Sequence, residues 1–96
     1  MNRDNRQHIN LRVSASSDPH KVSSAMCRYI AEGNKVVMTA IGASAVNQAV
    51  KSLAIGRGIA ASGGRDLTFA VGFHDEEINR EIKTALRFFP IIRDAT

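Results

Sequence analysis

Polar and apolar positions along this chain switch repeatedly between a period of two and a period near 3.6. Those switches mark its elements. His8 to Ser14 alternates strictly: Ile9, Leu11 and Val13 face one way, His8, Asn10, Arg12 and Ser14 the other. That is the pattern of a half-buried strand. Ser16-Ser17-Asp18-Pro19 then predicts a helix start, with a Ser or Asp cap and proline where its missing N–H costs nothing. Val22, Met26, Tyr29 and Ile30 follow at helical spacing, and Gly33 supplies the stop. Lys35 to Ile41 is continuously apolar after its lysine, as a central strand covered by helices should be.

The stretch Ile41 to Gly58, IGASAVNQAVKSLAIGRG, is the organising element. It turns on Gly42 and predicts a helix whose stripe of Ala45, Val46, Ala49, Val50, Leu53 and Gly56 packs on a sheet. Ser44, Asn47, Gln48 and Lys51 occupy the wet side. Ile55 falls among them, with Ile59 beside it if the helix runs past Gly58, and this pair is a candidate subunit contact. Arg57 falls on the apolar stripe and needs an acidic partner or a snorkelling path, with Asp66 the candidate carboxylate. Ala60 to Gly64 reads as a loop. Arg65 to Phe73 alternates again, with Leu67, Phe69, Val71 and Phe73 on one face. His74-Asp75-Glu76-Glu77 reads as a charged turn, and Asn79 to Phe89 as a last strand ended by Pro90.

The predicted order is strand, helix, strand, helix, strand, strand. Right-handed crossovers put both helices on one face of a four-stranded mixed sheet, an α/β chain of the α+β two-layer sandwich type. Ninety-six residues fit one domain. The boundaries expected are a polar N-terminal arm over 1–7, the domain over 8–92 and a short tail over 93–96.

Composition narrows the class. A charged fraction of 23% and a hydrophobic fraction of 44% exclude a disordered chain. The single Cys27 cannot close an internal disulfide, which favours a reducing compartment. No apolar run reaches the roughly 18 residues of a membrane span, and MNRDNRQ has no signal-like apolar region. A cytoplasmic protein without membrane attachment is the expectation. A formal net charge of +4 leans toward polyanionic partners.

Candidate catalytic chemistry is weak. His74, Asp75, Glu76 and Glu77 are adjacent rather than spaced to converge, and His8, His20 and His74 lack metal-ligand spacing. Cys27 has no basic activator one helical turn away. Gly56-x-Gly58 and Gly63-Gly64 do not lead from a strand into a helix, so no nucleotide loop is read there. The expectation is no enzyme, no metal and no cofactor.

A binding surface is better supported. With parallel first and second strands, the loop holding Ser16, Ser17 and Lys21 and the turn Gly42-Ala43-Ser44 emerge on one edge. Two helix N-termini, hydroxyls and Lys21 there suit backbone phosphates, with Asn47 and Lys51 further along and Arg12 extending the patch.

The Ile41–Gly58 stretch, as IGxxAVNQAVKxxAIxRG, resembles the signature segment of the stage V sporulation protein S family. Val13 to Ser17 with Pro19, Val22, Met26, Tyr29 and Ile30 is similar to the family's opening strand and first helix, and Lys83 to Phe88 to its closing strand. The resemblance covers residues 9 to 89 and departs before His8 and after Phe73. It implies an Alba-like β-α-β-α-β-β fold and a role in sporulation or cell-division regulation. It also implies contact with DNA or RNA through the loop and second-helix start, here Lys21, Ser44, Asn47 and Lys51. Where DNA-binding Alba proteins carry basic residues before the second helix, this chain has Ala43 and Ser44, and its hairpin is acidic. The reading is a non-enzymatic nucleic-acid-binding homodimer, its candidate contacts Arg12, Ser17, Lys21, Ser44, Asn47 and Lys51 and its candidate interface Ile55 and Ile59. The alternative is a protein-interaction module with no direct nucleic-acid binding.

Overall fold

The structure, a computed structural model, describes residues 7–95. Its elements are β1 (His8–Val13), α1 (Pro19–Ala31), β2 (Lys35–Ala40), α2 (Ala43–Ser62), β3 (Arg65–Ile78) and β4 (Glu81–Asp94). The sheet order is β1-β2-β4-β3, with β1 and β2 parallel and the other neighbours antiparallel. This is the mixed-sheet, two-layer Alba-like arrangement that the pattern and the resemblance predict. Of the expected arm over 1–7, only Gln7 lies within the described residues. It is tied to the fold, donating to Asn34 Oδ1 and accepting from the Lys35 N–H.

The helices form where local chemistry favours them. Asp18 caps α1 by accepting the His20 N–H at 2.9 Å, Pro19 occupies the first turn, and Gly33 exits in the left-handed region that suits glycine. α2 begins at Gly42, whose φ of 89° permits the sharp turn out of β2. It runs through Gly58 to Ser62, four residues past the expected end. Ala60 is buried, and this packing holds the last turn in place.

The core lies between the helices and one face of the sheet. Met26, Met38, Ala49 and Leu53 are buried at its centre, with Val13, Val36, Ala40, Leu67 and Phe88 around them. Gly56 sets the depth of that packing. A Cβ there would overlap the Met26 side-chain end, with Ser23 Oγ at 3.1 Å and Leu67 Cδ1 at 3.3 Å. The buried stripe of α2 includes Ser52, whose hydroxyl donates to the Gln48 carbonyl at 2.8 Å, in place of Val50, which is exposed. Val50 sits two turns from Arg57 on the same flank, and Arg57 reaches β3 rather than the core. Its Nε donates to Asp66 Oδ1 at 3.0 Å, the partner predicted for it.

The hairpin departs most from expectation. His74 to Glu77 is not the turn; it belongs to β3, which pairs with β4 from Arg65↔Asp94 to Ile78↔Glu81. The turn is Asn79-Arg80, both at positive φ (52° and 66°), as a two-residue hairpin connection requires. Pro90 does not end β4 either. Pairing with β2 stops at Phe88, two residues before the proline, while pairing with β3 continues to Asp94 and carries the strand past the boundary at 92. A residue without an N–H is tolerated where one neighbouring strand is absent.

Candidate nucleic-acid interface

The edge at the C-terminal ends of β1 and β2 carries most of the predicted contacts. Ser14 donates its N–H to Ser17 Oγ (2.9 Å), and Ser17 returns its N–H to the Ser14 carbonyl (3.1 Å), folding the loop before α1 on itself. Gln48 Nε2 donates to the Ser17 carbonyl at 2.9 Å and so clamps that loop to α2. The sequence pattern places Gln48 only on the wet face; its positioning role depends on a contact 31 residues away. Neither helix has an acidic residue in its first turn, and no side chain caps α2. The N-terminal N–H groups of α2 are therefore open to an anion.

Lys21, Ser44, Asn47 and Lys51 are all exposed, and the last three share one face of α2. Ser17 is half-buried, its hydroxyl engaged within the loop. A shallow cavity of about 270 Å³ opens beside this edge between Arg12, Ser14 and Thr39 on one side and Ile41 and Ala45 on the other.

Arg12 is held differently from the other candidates. Its guanidinium donates both terminal nitrogens to Glu76, Nη1 to Oε1 at 3.0 Å and Nη2 to Oε2 at 2.7 Å. β1 and β3 are opposite edges of the sheet, so this pair requires the far half of the hairpin to curl across the open face. Thr39 and Ala85, both on that face by register, are buried accordingly. The hydrogen bond from Arg12 holds the Glu76 carboxyl below the usual glutamate range, and the same bond raises the Arg12 guanidinium further. Asp66 is lowered likewise, chiefly by Arg57.

Ile55 is half-buried and Ile59 exposed, so the pair offers a modest apolar patch. A larger one lies elsewhere. Phe69, Val71 and Phe73 line the helix-side face of the edge strand β3 beyond the reach of the helices, with Phe73 84% exposed. The alternation in β3 was visible in the sequence; that α2 covers only Leu67 of that row was not.

Cys27 is half-buried, and burial pushes its thiol up. Among the described residues no group of three or more His, Cys, Asp or Glu side chains is placed to hold a metal ion. No helix among them is long and apolar enough to cross a membrane.

Comparison with known families bears directly on this architecture. The model of the family described as stage V sporulation protein S (SpoVS) matches residues 9–92, nearly the whole chain and every element of the fold. The chain belongs to the stage V sporulation protein S family, a membership that points to a sporulation-related role.

Proposed function

We propose that the protein is a non-enzymatic regulator that binds the phosphate backbone of DNA or RNA as a cytoplasmic homodimer. The observation that carries the reading is the edge at the C-terminal ends of β1 and β2. Two helix N-termini sit there, that of α1 capped by Asp18 and that of α2 without a side-chain cap, with exposed Lys21 and Ser44 beside them and Asn47 and Lys51 further along α2. Amide donors and dispersed cations without a base-reading element suit phosphates rather than sequence. Arg12 joins this surface once Glu76 releases it.

The apolar row on β3 supports pairing with a second copy. Laid antiparallel about Ala70, two β3 strands set Arg65 opposite Asp75 and Phe69 opposite Val71, with all apolar members on one face. Ile55 and Ile59 are the smaller alternative contact.

Fluorescence anisotropy of labelled duplex DNA and single-stranded RNA across several salt concentrations tests the reading. Affinity whose logarithm falls linearly with log salt is expected, and Lys51→Glu should weaken binding uniformly across sequences. Absence of binding at low salt removes the reading. A sequence-selective loss in Lys51→Glu removes the phosphate role of that residue.

A second reading, a protein-interaction module, is favoured by the same exposed Phe69-Val71-Phe73 row and by the occupation of Arg12 by Glu76. Capture of one dominant protein partner that survives nuclease treatment and is lost in Phe73→Ser supports it instead.

A further inference from the structure

The gap between β2 and β4 holds a groove, lined by both faces of these strands and reaching Ile30 of α1, that neither reading uses. β2 and β4 pair only over Met38–Ala40 and Leu86–Phe88. Beyond that the strands splay, and Lys35–Val37 and Phe89–Ile92 become the walls of a cleft of about 550 Å³. A second cavity of about 210 Å³ adjoins it, lined by Asn10 and Arg87 and sharing His8 and Val37 with the first. The two differ in chemistry. The larger is mostly apolar and carries Phe89, an aromatic ring left 39% exposed. The smaller is rich in hydrogen-bond donors. Arg87 Nε is buried and has no hydrogen-bond partner among the described residues. Asn10 spends its carbonyl oxygen on Thr39 Oγ1 at 2.9 Å, which leaves its NH₂ group as the available end. No carboxylate lines either cavity, whereas Lys35 lines the larger and His8 lines both.

We propose that this groove binds single-stranded nucleic acid, one base stacking on Phe89 while the adjoining phosphate is held by Arg87, Asn10 and His8. The occupant follows from complementarity. A π-face beside a pocket of cations and N–H donors matches a nucleotide unit, which has a flat apolar ring next to an anion. A duplex keeps its bases stacked inside and cannot present one to Phe89. An apolar peptide would leave the buried Nε of Arg87 without a partner. The groove opens at the N-terminal ends of β1 and β2, the opposite end of the sheet from Lys21 and Ser44, so the two surfaces can be probed separately. The proposal rests on the nucleic-acid reading above and specifies the polymer.

The test is anisotropy of the full chain with labelled oligothymidine, oligouridine and a duplex of matched length, together with competition by the free mononucleotides. Single strands should bind more tightly than duplex, and mononucleotides should compete only weakly. Phe89→Ala and Phe89→Leu should each weaken single-strand binding about tenfold, and Phe89→Tyr should restore it, because stacking needs a ring and not merely apolar volume. Arg87→Gln should lower the salt slope by about 0.7, the share of one phosphate on a single strand. Phe89→Leu binding as well as the parent overturns the stacking role, and mononucleotides binding as tightly as oligonucleotides overturns the strand as occupant. Single-strand binding that depends on Lys51 but is indifferent to Phe89 and Arg87 overturns this groove while leaving the edge surface intact. No binding of any probe removes both. Unchanged thermal unfolding of the Phe89 variants, whose ring lies at the surface, separates lost binding from lost folding.

Discussion

The two faces of the sheet are built for different purposes. The helix-side face carries Val36, Met38, Ala40, Leu67 and Phe88, buried beneath α1 and α2. The opposite face carries His8, Arg12, Lys35, Thr39, Arg87 and Phe89, partly roofed by the curled hairpin and otherwise open. Burial of apolar area on the first face does most of the stabilising, since each fully buried aliphatic side chain contributes about 1.5–3 kcal/mol. Little on the second face is needed for that. A basic and aromatic surface that folding does not require is where selection for binding leaves its mark, whereas an apolar residue under a helix says only that the helix packs there.

Leu53 of α2, 2% exposed, packs at the centre of the helix layer that covers the first face. Leu53→Ala should cost about 2–5 kcal/mol in chemical denaturation, through lost transfer energy and a residual cavity. Nucleic-acid affinity should be unchanged wherever the variant is folded. A loss below about 1 kcal/mol would mean that the helix layer is looser than its packing implies.

Gly56 gives the next largest effect. Its neighbours Met26, Ser23 and Leu67 leave no room for a branched side chain. Gly56→Val should cost about 1–3 kcal/mol by overpacking, partly offset by the better helix propensity of valine over glycine. A thermal midpoint equal to the parent's would show that α2 can lift from β3 without penalty. The small-residue pattern of the second helix would then have another cause.

The covered face was legible in the sequence because burial imposes a period. Strict alternation marked β1, the apolar run marked β2, and the Asp18-Pro19 and Gly33 signals bounded α1. Even Arg57 announced its need for a partner, and Asp66 supplied it. The hairpin was not legible in the same way. From His74 to Ile78 both faces of β3 are solvated or rest on polar groups, so no alternation distinguishes strand from turn. Asn79-Arg80 lacks the glycine that usually flags a two-residue connection. The Arg12–Glu76 pair spans 64 residues and depends on how far the arm curls, which no local pattern encodes. The groove beside Phe89 likewise needs the splay of β2 from β4, and Pro90 hinted at it without saying which neighbour would be lost.

The smallest effect sharpens the contrast on the open face itself, between the roofed end and the groove. Arg12 and Glu76 form an ion pair whose arginine is largely exposed, so its global contribution is small. Its local role, holding the arm down, should be measurable. The Glu76 carboxyl is lowered in the folded protein, chiefly by its hydrogen bond from Arg12. The contribution of the pair is therefore fully present above the ordinary glutamate value of about 4.3 and is lost as pH falls through the lower folded value. Asp66 titrates in the same direction, so acid alone does not isolate the arm. Glu76→Gln does. At neutral pH it should lower amide protection factors from Phe73 to Ile78 about as much as acid does in the parent, with little change in the unfolding midpoint. Asp66→Asn should leave the exchange of those amides unaltered. The same Glu76→Gln variant should also bind polyanions more tightly at low salt, because a cation formerly neutralised becomes available. Arm exchange equal to the parent's would mean that the curl is set by the twist of the β3–β4 ribbon rather than by Arg12, and the roofed end would then be a fixed part of the fold.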